Sequence, residues 1–401
     1  MRGPRAFAGA GGSGQMRHVA LIYDAKLPYD LKVISGVALY MQEGAEFITY
    51  TEEDALSNQR LPDLRSWHGD GIIADFDDPK VAAAVLRCKL PAVGFGGGFG
   101  WYPAQAGIPY FFSDQRKIGK LAADHLMERG FRNFAYCDYA RSPTNVWSEE
   151  RQRSFVASLR KRGFSCSVYH PLHKTTRQWS SVLASLGNWL QALPKPVGVM
   201  GANDRRAHHV MEACRAYQIR VPEEVAVLGV DNDEILCQLS NPALSSIEQG
   251  AKQIGYKAAV LLDRMMKGAK PRQQHYVIAP ISVVIRKSTD VLAIEDNVAA
   301  DAMIFIRSHF NVGISVMDVV SALGMSRSKL ESRFKASIGR SVHEVIRKIQ
   351  LDRARHLVSE TNLAMKEIAA NTGFRSIQHM TSLFGESFGQ TPAKYRKELI
   401  R

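Results

Sequence analysis

Between His18 and Arg286 the chain alternates short β-rich runs with stretches in which apolar residues recur at helical spacing. The runs His18–Tyr23, Phe47–Tyr50, Gly71–Ala74, Ala92–Phe95, Phe134–Cys137, Gly198–Met200 and Val225–Val230 read as strands, with helices between them. Strand and helix in alternation predict an α/β fold with doubly wound parallel sheets. After residue 298 the strand-like runs stop, and the remaining hundred residues predict an all-α domain with two helix-turn-helix motifs.

The first of these motifs runs from Ile314 to Lys335, with Val316, Val319, Val320 and Leu323 at helical spacing, then Gly324, then a second helix. Glycine takes the positive φ that lets a chain reverse between short helices. Ser326 is placed to cap the helix that follows by accepting a free backbone N–H. Leu330 and Phe334, four apart, bury one face of it, while Arg327, Ser328, Lys329, Glu331 and Ser332 face outward with groups able to reach base edges in a major groove. The second motif repeats this grammar from Met365 to Phe388, with Gly373 lying 49 positions after Gly324. There Ser376 is the cap and Met380 and Phe384 turn inward, with Arg375, Gln378, Thr381 and Ser382 as the candidate DNA contacts. One such pair of helices is more often an ordinary αα-hairpin; two in register with matching caps favour a DNA reader.

Charge follows the same division. Residues 298–401 carry 16 Lys and Arg against 9 Asp and Glu, whereas residues 18–297 carry 33 against 30. A cationic surface on a small domain supplies the phosphate affinity that DNA binding needs. At 401 residues the chain is long enough for two or three domains, and no run of eighteen apolar residues suggests a membrane span. Five scattered cysteines, none spaced as CxxC, point to a reduced, cytoplasmic protein. The Gly/Ala-rich residues 1–17 read as a disordered tail, with Met16 a plausible true start.

In doubly wound sheets ligands bind outside the carboxyl ends of the strands. The residues following the strands here are Asp24, Asp75, Asn203 with Asp204, and Asp231 with Asn232. Acidic and amide groups converging on one cleft form paired hydrogen bonds to vicinal hydroxyls, which is sugar recognition. Arg151 offers a fork of donors, and Trp147 or Trp101 a face for the C–H side of a pyranose. Enzymatic readings find little support. The glycines from Gly94 to Gly100 miss the G-x-G-x-x-G spacing at Phe99, and neither a GxxxxGK[ST] loop nor a G-x-S-x-G elbow occurs. His170, His173, His208 and His209 lack a third ligand at metal spacing, so neither a catalytic site, nor a metal, nor a cofactor is expected.

The segment from Gly373-Phe374 through Phe384 to Gly389-Gln-Thr-Pro-Ala-Lys-Tyr-Arg396 resembles the signature of AraC/XylS-family regulators, with Met380 and Gly385 standing where that family usually has Phe and Lys. Residues 18 to about 285 resemble the periplasmic-binding-protein-like core of LacI-type repressors. That likeness rests on Trp147-Ser-Glu-Glu-Arg151, Ala202-Asn203-Asp204, Gly229-Val-Asp231-Asn232-Asp233 and Ala243-Leu-Ser-Ser-Ile-Glu-Gln249. It implies a two-lobed core in which Arg151, Asn203, Asp204, Asp231 and Asn232 contact an effector and Gln249 lies by the hinge near the pocket. The combined layout is similar to that of bacterial xylose-operon regulators. It implies a tail over 1–17, a sugar-sensing domain over 18–286, a linker over 287–297 and a double helix-turn-helix domain over 298–401. The expected partners are operator DNA, a sugar with D-xylose first, RNA polymerase and a second copy of the chain as a homodimer, without a membrane. The alternatives are a regulator, even a repressor, answering to another sugar, and a non-regulatory sugar-binding protein.

Overall fold

The structure is a computed structural model that describes residues 16–52, 68–98, 107–171, 179–290, 293–294 and 296–400. Trp101, most of the expected N-terminal tail and linker residues 291, 292 and 295 lie outside the described residues. The first lobe opens with β1 (Arg17–Ile22), α1 (Pro28–Gln42), β2 (Phe47–Glu52), β3 (Gly71–Asp75), α2 (Pro79–Cys88), β4 (Ala92–Gly96) and β5 (Tyr110–Ser113). The chain then crosses to a second lobe through α3 (Gln115–Met127), β6 (Asn133–Cys137), α4 (Val146–Arg160), β7 (Ser167–Tyr169) and α5 (Trp179–Ala192). That lobe continues with β8 (Val197–Gly201), α6 (Asp204–Ala216), β9 (Val225–Val230), α7 (Glu234–Leu239) and β10 (Ser245–Glu248). Helix α8 (Ala251–Met266) and β11 (His275–Ile278) return to the first lobe, and β12 (Ser282–Val284) closes the second.

The sheets are ordered β11-β5-β4-β3-β1-β2 and β12-β10-β9-β8-β6-β7. Every described pairing is parallel except that of β12 with β10. Strands covered on both faces read as continuous apolar runs, and β3, β4, β8 and β9 are buried at every residue. Val33, Ile254 and Leu262 bring α1 and α8 onto one face of the first sheet, while Ile118, Leu126 and Phe155 seat α3 and α4 on the second.

The seven strands read from the sequence are present, with ends shifted by a residue or two. Strands β5, β7, β10, β11 and β12 were not read. In β10 the reason is chemical. Ser245 and Ser246 break the apolar run, yet both are buried, Ser245 Oγ donating to the Arg286 carbonyl at 2.9 Å and Ser246 Oγ to Asp204 at 2.5 Å. The antiparallel β12 also makes the second sheet mixed at one edge rather than wholly parallel.

Helices α9 (Asn297–His309), α10 (Val316–Leu323), α11 (Arg327–Ile338), α12 (Val342–Glu360), α13 (Met365–Asn371), α14 (Ile377–Phe388) and α15 (Pro392–Ile400) complete the chain. Val319, Leu330 and Phe334 pack with Ala302 and Ile306 in one core, and Ile368, Met380 and Phe384 with Ala354 and Tyr395 in a second, joined by α12. Gly324 and Gly373 take φ of 62° and 72°, and the Ser326 and Ser376 hydroxyls cap α11 and α14.

Acidic residues of the expected linker tie the helices to what precedes them. Asp296 caps α9 and accepts Arg333 Nε at 2.7 Å, and Asp290 pairs with Arg307 at 3.5 Å. The helical unit also sits against both lobes. Glu128, past the end of α3, pairs with Arg340 and Lys348 at 3.1 Å each, Arg355 donates to the carbonyl of Pro280 between β11 and β12, and α15 lies on α8. No helix among the described residues is long and apolar enough to cross a membrane.

Candidate functional site

Parallel strands of one sheet end together, and the bonds from Lys32 on α1 to Glu248 and to the Asp231 carbonyl bring the strand ends of the two lobes to one cleft. Its centre is Arg151, carried inward by α4 and 1% exposed. Arg151 Nε donates to Gln115 at 2.7 Å, Nη2 to Gln249 at 3.2 Å and Nη1 to the Ala202 carbonyl, while the guanidinium lies 4.6 Å from the Trp147 ring. A buried guanidinium needs each of these acceptors, because an unpaired buried charge is costly. Gln249 Nε2 donates in turn to Asp231, so arginine, amide and carboxylate form one continuous network. Asp231 and Asn232 take φ of 110° and 50°. Backbone held in that region is strained for a residue with a Cβ, and such strain collects at functional turns.

The first lobe contributes carboxylates. Asp75 is 3% exposed and accepts the Asp77 amide at 2.8 Å, and Asp77 accepts the Gly97 amide at 2.8 Å. Asp30 accepts the Asp24 amide at 2.8 Å, and Tyr29 donates to the Gly96 carbonyl at 2.6 Å. Burial pushes the Asp77 carboxyl up to about 7, against the pull of the Gly97 amide and Arg151. Burial likewise lifts Asp231 to about 6, with Arg151, Gln249 and Lys32 opposing it. Asp30, Asp75 and Asp204 are raised as well, desolvation first and neighbouring carboxylates next. Carboxyls poised near neutrality both donate and accept, which suits a neutral ligand rich in hydroxyls.

The sequence-read residues divide by what they touch. Arg151, Trp147, Gln249, Asp231 and Asn232 are gathered at the second-lobe wall, and Asp75 lies on the first-lobe wall. Asp24 is half-buried beside Asp30 and accepts the Lys26 amide at 2.9 Å. Asn203 caps α6 and accepts the Tyr139 hydroxyl at 2.8 Å. Asp204 is engaged in building the site, since it accepts the Asp233 amide at 2.7 Å and the Ser246 hydroxyl. Sequence reasoning missed Asp30, Asp77, Gln115, Lys32 and Glu248. Asp77 had a signal: it follows Asp75 by two positions, the period that returns a side chain to the same face of an extended chain. Asp30 in the first turn of a helix resembles an ordinary acidic helix start, and Lys32 and Glu248 meet across 216 residues.

On the helical unit, α11 presents Arg327, Ser328, Lys329 and Ser332 to solvent, whereas Glu331 is half-buried and accepts the Val342 amide at 3.3 Å. Around α14, Arg375, Gln378 and Ser382 are exposed and Thr381 is half-buried. Two helices with short polar outer faces, basic on α11 and flanked by Arg375 at α14, each opened by a capping serine and held apart by α12, have the form of paired major-groove readers.

Known proteins share this arrangement. Residues 18–116 match the XylR N-terminal domain, 123–289 a periplasmic binding protein-like domain and 319–398 a helix-turn-helix domain. The xylose operon regulatory protein of Escherichia coli K12 is 35% identical over 382 residues, covering 95% of this chain and 97% of the relative. Its counterpart in Haemophilus influenzae is 34% identical over 391 residues, covering 95% and 98%. A solved structure described as the xylose-binding transcription activator XylR is 34% identical, with a TM-score of 0.63 over 95% of this chain and 98% of that one. Three successive domain matches and full-length identity above 30% place the chain plainly: it belongs to the family of xylose operon regulatory proteins, transcription regulators with a two-lobed core and a C-terminal helix-turn-helix domain.

Proposed function

We propose that the protein is a cytoplasmic, D-xylose-dependent activator of xylose catabolism genes. In this reading residues 18–286 sense the sugar, 287–297 link, and 298–401 read DNA. The carrying observation is the network of Arg151, Gln249 and Asp231 facing buried Asp75 and half-buried Asp77, a set of paired donors and acceptors with no charge to neutralise on the ligand. Asp24, Trp147, Asn203, Asp204 and Asn232 complete or brace that site. A homodimer would bring paired reading units to two half-sites, and the activator would recruit RNA polymerase there.

Thermal unfolding against D-xylose, L-arabinose, D-ribose and D-glucose tests the effector. A sugar at a hundred times its dissociation constant stabilises the folded state by about 2.7 kcal/mol, so D-xylose should raise the midpoint while the others leave it in place. A shift with another pentose alone would reassign the regulon, and a response to none would reject the cleft. Gln378→Ala tests the reader. Removing an amide that pairs with a base should weaken operator binding by about 1–3 kcal/mol and relax preference at one base pair. Unchanged preference in a selection from random DNA would displace α14 from the groove.

A further inference from the structure

Four side chains connect the first lobe to the segment that leads into the DNA-reading unit. Lys32, on α1 of the first lobe, pairs with Glu248 at the end of β10 and donates to the Asp231 carbonyl at 2.7 Å. Glu248 accepts Asn232 Nδ2 at 3.2 Å. The other end of that amide, Asn232 Oδ1, accepts Arg286 Nη2 at 2.8 Å. Both ends of the carboxamide are therefore taken, one by the carboxylate that pairs with Lys32 of the first lobe and one by Arg286, two residues past the end of β12.

Arg286 is in turn anchored to β10, and the turn that follows it is tied to the same serine and to α3. Its amide donates to Ser245 Oγ at 2.8 Å, its carbonyl accepts that hydroxyl at 2.9 Å, and its Nη1 donates to the Leu244 carbonyl at 2.9 Å. The 3-10 turn Lys287–Thr289 follows, with the Thr289 hydroxyl donating to Ser245 Oγ at 2.8 Å and lying 3.0 Å from His125 Nε2. Arg129 Nε donates to the Thr289 carbonyl at 2.6 Å, and the Arg129 carbonyl accepts the Ala293 amide at 2.7 Å, three residues before the cap of α9. The strand that Arg286 follows, β12, packs against α12. One guanidinium thus holds the cleft turn from a segment that runs on into the linker and follows the strand packed on the central helix of the reading unit.

We propose that Arg286 is the positioning residue that transmits effector occupancy to the DNA-reading unit, as the last member of the relay Lys32–Glu248–Asn232–Arg286. The inference rests on the effector reading above. In an open cleft Lys32 withdraws from Glu248, the Asn232 carboxamide loses one of its two anchors, and the strained turn at Asp231–Asn232 and the Arg286 segment relax together. Sugar held between the lobes restores the chain of bonds and fixes the linker. Transmission then requires only that the ligand prefer the closed state.

The test uses the full chain, calorimetry with D-xylose, and fluorescence anisotropy with a duplex selected by the unaltered protein from a random pool, with and without the sugar. Arg286→Met should keep the D-xylose dissociation constant and the sugar-free DNA affinity within about threefold, while the sugar-induced change in DNA affinity falls to less than twofold. Arg286→Lys, with one donor point instead of a fork, should retain part of that change. Lys32→Met, at the far end, should abolish it too, and the double variant should do no worse than either single one. Full sugar response in Arg286→Met overturns the proposal, as does loss of D-xylose binding, which would make Arg286 a pocket residue. If Arg286→Met fails to fold, an unimpaired response in either Arg286→Lys or Lys32→Met overturns it. Failure of the unaltered protein to bind D-xylose sinks the effector reading and the relay together, and the first calorimetric measurement tells that case apart.

Discussion

Asp231→Ala should lower D-xylose affinity by a factor of roughly 30 to 1000 while DNA affinity in the absence of sugar changes little. The carboxylate is 8% exposed, accepts the Gln249 amide and supplies negative charge beside Arg151, which is 1% exposed. Taking it away removes acceptors for ligand hydroxyls and leaves a buried guanidinium with less compensation. Unsatisfied or unpaired buried groups cost about 2–4 kcal/mol, and each 1.4 kcal/mol is tenfold in affinity. Asp231→Asn keeps an acceptor and the shape, so it should lose less. The reading unit lies beyond β12 and makes none of these contacts, so its DNA affinity is the internal control. Calorimetric titration settles the matter, and a dissociation constant within threefold of the unaltered protein would remove Asp231 from the pocket. Alanine at a φ of 110° is itself strained, so the midpoint of thermal unfolding should also fall modestly.

Features written in local chemistry were legible beforehand. A capping serine, a glycine with positive φ and an i,i+4 apolar pair each act within one turn of helix, and α10–α11 and α13–α14 were read from them. Strand ends were legible for a related reason: a doubly wound sheet places its ligands after its strands whatever the sequence elsewhere. Features that depend on distant partners were not. Strand β10 hides because its serines satisfy Asp204 and the Arg286 backbone, 42 and 41 residues away. Asp204 looks like a ligand contact in sequence but braces the turn that carries Asp231. The ties from Glu128 to Arg340 and Lys348 join groups that resemble solvated surface charges until the helical unit is packed against both lobes. Those ties hold the start of α12 and the turn before it to the end of α3.

The repeat itself makes the sharpest stability contrast, because Gly324 and Gly373 each stand in the turn between the two helices of their motif and both have positive φ, 62° and 72°. Gly324→Ala should destabilise its unit by about 1–2 kcal/mol, the cost of a Cβ in left-handed backbone, since an added Cβ there meets nothing. Gly373→Ala carries that cost and a second one. Its Cβ would fall on the Phe310 carbonyl oxygen, deep inside van der Waals contact, and lie 2.8 Å from the Gly313 amide and 2.9 Å from Gln350 Nε2. Gln350 donates from α12 to both the Phe310 and Gly373 carbonyls, at 3.2 and 3.0 Å, so the glycine sits where the turn between α9 and α10, the second motif and the connecting helix converge. Backbone there has no rotamer by which to yield, and overpacking adds about 1–3 kcal/mol, for a total of roughly 2–5 kcal/mol. The expected result is a Gly324→Ala protein that still binds DNA with a slightly lower unfolding midpoint. Gly373→Ala should lose DNA binding at 37 °C while calorimetry still reports sugar binding by the core. Equal midpoints for the two variants would mean that Gly373 is not wedged between the α9–α10 turn and α12 in the folded protein.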